Sequence, residues 1–241
     1  MDDDSLILSN KIESIPKNLK KYWLNRYSLF HRFDEGVFLT KEMWFSVTPE
    51  DIAIFVAKFI KHCYPDAKLV LDLFCGAGGN LIQFARYFDR VIGIDYNESS
   101  LMCTRANALV YKVDPSCYDL WQSDWSSPSK EAVEELKRQK VDVAFASPPW
   151  GGTGYLAHKS FNPNKLQPLP LKELLQSMFE ITANVALFLP RNTDLDILSK
   201  VTREVLGDTG KCKVSNIYNE GRLKGIICYW GKSFVEYEKT E

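Results

Sequence analysis

The chain has 241 residues, 45% hydrophobic and 25% charged, and its 30 Lys and Arg against 31 Asp and Glu leave a net charge of −1. That length suits one domain with at most a small appendage and is ample for a hydrophobic core, while the aliphatic and aromatic content excludes disorder as the main state. Near-neutral charge excludes a protein that coats nucleic acid by bulk electrostatics, so a polyanionic partner would have to be held by a local patch.

No apolar run approaches the roughly 18 residues of a membrane helix. The acidic start, Met1-Asp2-Asp3-Asp4, is unlike a secretory signal. The 6 cysteines include no C-x-x-C pair and the 3 histidines are scattered, which fits neither a zinc site nor a disulfide scaffold. A soluble intracellular protein with reduced thiols and no metal is expected.

Residues 1–14 read as a loose tail. Within residues 11–32, Lys11, Lys17, Lys20, Lys21, Arg26 and Arg32 face a single acid, Glu13. This is either a basic patch or a solvated helix face, and charge alone leaves both open. Apolar residues at helical intervals from Leu19 to Phe33 predict a short amphipathic helix. Thr48 then suits an N-cap, Pro49 a first helical position and Asp51 a first turn. With Ile52, Phe55, Val56, Phe59 and Ile60 on one face, a helix is expected over 49–62. Residues 1–62 thus read as a tail and helical cap subdomain, and 63–241 as the core.

After Pro65 short apolar runs alternate with amphipathic segments. Strands are predicted at 68–73, 90–94, 117–122, 141–146 and 185–189, and helices at 80–88, 99–111, 129–139, 171–182 and 195–206. Such alternation means βαβ units on a parallel sheet covered on both faces. Segments 211–218 and 223–230 flank the turn-rich Asn219-Glu220-Gly221-Arg222 and read as an antiparallel hairpin. The expected α/β fold, a seven-stranded and mostly parallel sheet ending in a hairpin, resembles the Rossmann-like class I methyltransferase plan.

The strongest local signal is Leu71-Asp72-Leu73-Phe74-Cys75-Gly76-Ala77-Gly78-Gly79-Asn80, an apolar strand running into a glycine-rich turn and a helix. Glycines let the backbone approach a ligand, and a helix start offers free N–H groups. Position 81 is Leu, so the G-x-G-x-x-G spacing of a dehydrogenase is absent. Three acids stand at successive strand ends instead. Asp72 can meet an ammonium, which NAD lacks; Asp95 can accept both ribose hydroxyls; Asp124 can accept from an adenine amino group. Each alone is weak, but together above one glycine loop they fit S-adenosyl-L-methionine, with Gly76, Gly78 and Asn80 beside it.

The fourth core strand ends in Ser147-Pro148-Pro149-Trp150-Gly151-Gly152. Two prolines cannot extend a central strand, so the chain must turn out at the carboxyl edge of the sheet, where ligands bind. The sequence resembles the (Asp/Asn/Ser)-Pro-Pro-(Tyr/Phe/Trp) motif of exocyclic amino methyltransferases. There the first residue and the neighbouring carbonyl hold the amine, and the aromatic stacks on the base. Aligning a weak nucleophile with the methyl supplies much of such catalysis.

From Lys20 to Trp230 the chain resembles the trimethylguanosine synthase family, which dimethylates N2 of the 7-methylguanosine RNA cap. The matching blocks are Lys21-Tyr22-Trp23, Arg26-Tyr27-Ser28-Leu29-Phe30, Trp44-Phe45-Ser46-Val47-Thr48-Pro49-Glu50, the glycine loop, the Ser-Pro-Pro-Trp-Gly-Gly loop, and Phe188-Leu189-Pro190-Arg191-Asn192. Thr153 departs from a common Pro, and the long amino-terminal extension of the animal enzymes has no counterpart here. The resemblance implies that Trp150 stacks on the cationic methylated guanine, with cation–π attraction as selector. It implies that Ser147 and the Pro148 backbone hold the N2 amine, and that Phe30, Thr48 and Pro49 close over the cofactor. Lys21 and Arg191 would meet the triphosphate, with Ser46 and Tyr155 also on the substrate. It further implies capped small nuclear and nucleolar RNA as partners, recruitment by RNP core proteins, and a place in the nucleus, specifically the nucleolus. Two alternatives remain at this level: another nucleobase amino methyltransferase, such as an N6-adenine enzyme, or a degenerate fold serving as an RNA-binding scaffold.

Overall fold

The computed structural model describes residues 12, 15–152, 154 and 158–238; Tyr155, Thr153 and most of the 1–14 tail lie outside them. Five strands, β1 (Leu69–Leu73), β2 (Arg90–Asp95), β3 (Tyr118–Gln122), β4 (Val143–Ala146) and β5 (Val185–Pro190), run parallel, and β6 (Lys213–Asn219) and β7 (Arg222–Trp230) form the closing hairpin. The order is β3-β2-β1-β4-β5-β7-β6, with β7 antiparallel to β5. This is the expected seven-stranded sheet. All five parallel strands therefore end at one edge, and the hairpin tip at Asn219–Arg222 reaches the same edge.

The central strands β1, β4 and β5 are buried on both faces, as the interior of a parallel sheet requires, and the edge strands β3 and β6 only in part. Leu69, Leu71 and Leu73 point toward one layer, where α7 (Lys130–Gln139), α8 (Leu171–Phe179) and α9 (Leu195–Leu206) contribute Leu136, Leu174, Leu175 and Leu198. Val70 points the other way, toward α4 (Glu50–Cys63), α5 (Gly79–Phe84) and α10 (Lys232–Glu236) through Val56, Ile60, Leu81 and Phe234. Asp72 alternates in register with Val70, which puts a carboxyl group under the start of α5.

The amino-terminal region differs from the single helix expected over 19–33. It forms α1 (Lys20–Leu24) and α2 (Arg26–Leu29), interrupted at Asn25, then a 3₁₀ turn at Phe33–Glu35 and the short helix α3 (Met43–Ser46). Packing overrides the helical period here. Breaking the helix lets Leu19, Phe30 and Phe33 all enter a third cluster with Trp44 and with Ile82, Cys103, Ala108 and Tyr111 of the core.

Buried Glu50 stitches that seam. Its carboxylate accepts from the His31 backbone N–H (2.6 Å), from Gln83 Nε2 (3.3 Å) and from the Tyr111 hydroxyl, so one side chain ties the cap to α5 and to the end of α6 (Glu98–Val110). Thr48 is not the N-cap expected of it. Pro49 holds that position, and α4 has no side-chain cap.

Candidate active site

The glycine loop leaves β1 with Phe74 already in the left-handed region at φ 62°. Gly78 follows at φ 81°, and a Cβ there would stand 3.0 Å from Thr104 Cγ2, so the turn needs glycine for both conformation and space. α6 grips the loop from one side: Thr104 Oγ1 donates to the Gly76 carbonyl at 2.7 Å, and Asn107 Nδ2 to the Ala77 carbonyl at 2.9 Å. The cap grips the other. Asn80 Nδ2 donates to Thr48 Oγ1 at 2.9 Å, which is where the hydroxyl expected to cap a helix is used. Gly79 lies so close to Val47 and Thr48 that a Cβ would be 3.0 Å from Val47 Cγ2.

Asp72 is fully buried, and neither carboxyl oxygen has a hydrogen-bond partner. Burial, with the charge of Asp95 adding to it, pushes its pKa well above the ordinary carboxylate range; the nearby Leu81 amide opposes this only in part. Asp95 closes β2 and accepts from the Gly76 N–H (3.0 Å) and the Asn97 N–H (2.9 Å). Burial raises its pKa too, against the pull of those amides. Asp124 is exposed; hydrogen bonds from Ser126, side chain and backbone, hold its pKa below the usual value, the backbone bond measuring 2.9 Å.

Asp95 and Asp124 line one cleft of about 250 Å³ at the carboxyl edge of the sheet, together with Phe74, Ile94, Tyr96, Ser123, Trp125, Pro149, Gln167 and Pro168. Pro149 belongs to the Ser-Pro-Pro-Trp loop, so the loop after β4 forms a wall of the cleft that the acids of β2 and β3 open onto. A second cavity, about 280 Å³ between Tyr64, Asp66, Asp142 and Asn184, lies at the opposite edge, away from every loop named above. Among the described residues, no group of three His, Cys, Asp or Glu side chains is placed to hold a metal ion.

In the loop after β4, Ser147 is half-buried and Pro148 buried. Trp150 is half-buried, its Nε1 donating to the Phe188 carbonyl at 3.1 Å and its ring meeting the Phe188 ring edge-on at 5.1 Å between centroids. The indole is thus fixed to β5. Arg191 follows β5 at the same edge, exposed, with Nη1 donating to the Leu223 carbonyl at 3.3 Å. The cap residues stand apart from the cleft lining. Lys21 is exposed with its amine 4.8 Å from the Tyr22 ring centre, and Ser46 donates to the Glu42 carbonyl at 2.9 Å. Phe30 is 2% exposed and packs on Tyr111 at 6.0 Å. Tyr155 falls outside the described residues.

Sequence reasoning missed Phe74, Tyr96, Trp125, Gln167 and Pro168 as cleft walls. Tyr96 directly follows Asp95 and could have been found by position. A phenylalanine at positive φ, or a distant Gln167-Pro168 segment folding back onto the cleft, carries no local signal.

Residues 67–233 match the family described as RNA cap guanine-N2 methyltransferase. The chain belongs to that family. Over 95% of its length it is 45% identical to a trimethylguanosine synthase of Saccharomyces cerevisiae, covering 73% of that protein. It is 36% identical to a trimethylguanosine synthase of Schizosaccharomyces pombe, covering 95% of this chain and 93% of the relative. Solved structures share the fold at low identity. One is an S-adenosylmethionine-dependent methyltransferase from Agrobacterium tumefaciens (TM-score 0.55, 15% identity, 77% of this chain and 63% of that one). Another is the methyltransferase domain of bacterial CtHen1 (TM-score 0.55, 16% identity, 75% and 96%). In this cap guanine-N2 methyltransferase the family match begins just before β1, and the relatives extend the similarity through the helical cap.

Proposed function

We propose that this chain transfers two methyl groups in succession from S-adenosyl-L-methionine to the exocyclic N2 of a 7-methylguanosine RNA cap, giving the 2,2,7-trimethylguanosine cap. Beyond family membership, one observation carries the reading: a single cleft joins Asp95 and Asp124 to Pro149 of the Ser-Pro-Pro-Trp loop. The cofactor supplies a sulfonium-activated methyl group when bound. The carboxyl of Asp72, buried without a hydrogen bond, supports that cofactor, because a ligand ammonium would supply both the missing donor and a counter-charge.

The roles follow from chemistry at each position. Asp72 receives the ammonium, Asp95 the ribose hydroxyls and Asp124 the adenine amino group, while Gly76, Gly78 and Asn80 let the loop backbone lie against the ligand. Ser147 and the Pro148 carbonyl accept hydrogen bonds from the substrate amine and aim its lone pair, so orientation does much of the catalysis. Trp150 stacks on the methylated guanine, whose positive charge the indole face favours. Lys21 and Arg191 serve the triphosphate. No general base is required, since the N-alkylated amine is acidic enough to lose its proton to water. Small nuclear and nucleolar RNAs, delivered by RNP core proteins within the nucleus and nucleolus, are the proposed cellular substrates.

Mass spectrometry of methyl transfer to a 7-methylguanosine cap dinucleotide, with the unmethylated cap in parallel, tests the reading. Two methyls on the first and none on the second is the expected result. No transfer to either while the cofactor binds would move the assignment to another amino-bearing base.

A further inference from the structure

Two of the contacts that hold Trp150, a hydrogen bond and an edge-on ring, come from one residue, Phe188, within apolar surroundings supplied by both core layers. What holds Phe188 lies on the next strand. In the antiparallel register Phe188 faces Ile227, Leu189 faces Ile226 and Pro190 faces Gly225. A Cβ on Gly225 would stand 2.4 Å from Phe188 Cε2, 3.1 Å from its Cζ and 2.7 Å from the Leu189 carbonyl oxygen. Gly225 is buried mid-strand and outside the left-handed region, so its backbone does not require glycine. A buried strand position ordinarily favours a side chain over glycine. The absent side chain is what gives the Phe188 ring its niche, and the nearest contacts fall on Phe188, which anchors the indole, and on the Leu189 carbonyl that follows it.

We propose that Gly225 is a positioning residue for the substrate platform: by leaving space for Phe188 it sets the height and tilt of Trp150, and through Trp150 the preference for a cationic, N7-methylated guanine. This rests on the reading of Trp150 as the stacking surface. A methyl group at 225 demands that the ring or the end of β5 give way by about 1 Å, beyond the roughly 0.5 Å within which binding groups must be held. The cofactor acids sit on β1, β2 and the loop after β3, which that displacement does not touch directly.

The test compares wild type with Gly225→Ala, Phe188→Leu, the double variant, Trp150→Ala and Ile226→Val. Readouts are kcat and KM for the 7-methylguanosine cap dinucleotide, turnover of the unmethylated cap, the S-adenosylmethionine dissociation constant and the melting temperature. Gly225→Ala should raise KM for the methylated cap about tenfold and narrow discrimination against the unmethylated one, with cofactor affinity within about twofold of wild type. Adding Phe188→Leu should recover part of that loss by emptying the niche, the Leu189 carbonyl contact remaining. Ile226→Val, on the opposite face of the same strand, should lower the melting temperature without moving KM. A wild-type KM and selectivity in Gly225→Ala would overturn the proposal, as would an equal rise in KM for Ile226→Val. An unchanged KM in Trp150→Ala would instead overturn the reading of Trp150 on which it rests.

Discussion

Asp72 carries two carboxyl oxygens into the interior with no well-formed hydrogen bond to either, the nearby Leu81 amide only tempering the burial, an arrangement that costs free energy whichever way it is protonated. Its raised pKa means the folded ligand-free protein holds protons that the unfolded chain has released. Stability from this source is therefore fully present below the ordinary carboxylate value and is lost as pH rises through the raised one, with Asp95 acting in the same sense. Binding an ammonium reverses the balance, since it needs the ionised form. The rise in melting temperature produced by saturating S-adenosylmethionine should accordingly grow as pH increases from mildly acidic to neutral; a shift that is flat or falls with pH would contradict the assignment. Asp72→Asn removes the charge but not the shape. The ligand-free protein should melt at or above the wild-type temperature while cofactor affinity drops about 10- to 100-fold, the worth of a charged hydrogen bond of roughly 1.5–3 kcal/mol. Calorimetric titration decides it, and unchanged affinity would remove Asp72 from the cofactor site. Trp150→Ala separates the two halves of the reaction: transfer to the cap should be abolished while titration still shows cofactor binding. Retained transfer would misplace the substrate.

Elements were legible where they repeat a simple pattern and illegible where one long-range contact decides. The strand–helix alternation from residue 69 to 206 reads directly from apolar periodicity, and observed ends differ from predicted ones by a few residues at most. The cap does not read that way. Its apolar spacing suggests one helix, but Phe30 and Phe33 are claimed by Tyr111 and Trp44, and the helix breaks to deliver them. Thr48 has the composition of a cap and is used by Asn80 instead. The seam depends on Glu50, a residue that sequence alone assigns merely to a first helical turn. Glu50→Ala would leave the buried Tyr111 hydroxyl and the His31 N–H without their acceptor, at about 1–3 kcal/mol for each unpaired group. The melting temperature should fall by about 4–24 °C, and differential scanning calorimetry would show whether it does. Glu50→Gln keeps an acceptor and should lose less; equal losses would mean that charge, and not pairing, holds the seam.

At the scale of the molecule, the places of the acids and of both motif loops were readable because each stands at, or just beyond, a strand end that the sequence marks. The walls between them and the niche behind Trp150 were not, because Phe74 and Gln167 in the first and Gly225 in the second matter only through what folds against them. The same distinction bears on whether the cap is an appendage. A boundary at 62/63 treats the core as complete, yet the third apolar cluster joins Leu19, Phe30, Phe33, Leu39 and Trp44 of the cap to Ala77, Ile82, Cys103, Ala108 and Tyr111 of the core. Each large side chain withdrawn from such a cluster forfeits about 1.5–3 kcal/mol, against a total stability on the order of 5–15 kcal/mol for a protein domain. The lost contacts also include Thr48 and Val47 against Asn80 and Gly79, so the glycine loop would lose one of its two supports. A chain beginning at residue 50 should therefore fail to melt cooperatively, or melt far below the intact protein, and should bind S-adenosylmethionine weakly even where it stays soluble. Adding residues 1–49 as a separate polypeptide should restore part of the cofactor affinity, because the seam is made of packing and hydrogen bonds that need no covalent link. A fragment from residue 50 that melts and binds cofactor like the intact protein would show the cap to be dispensable to the core, and would confine its contribution to the substrate.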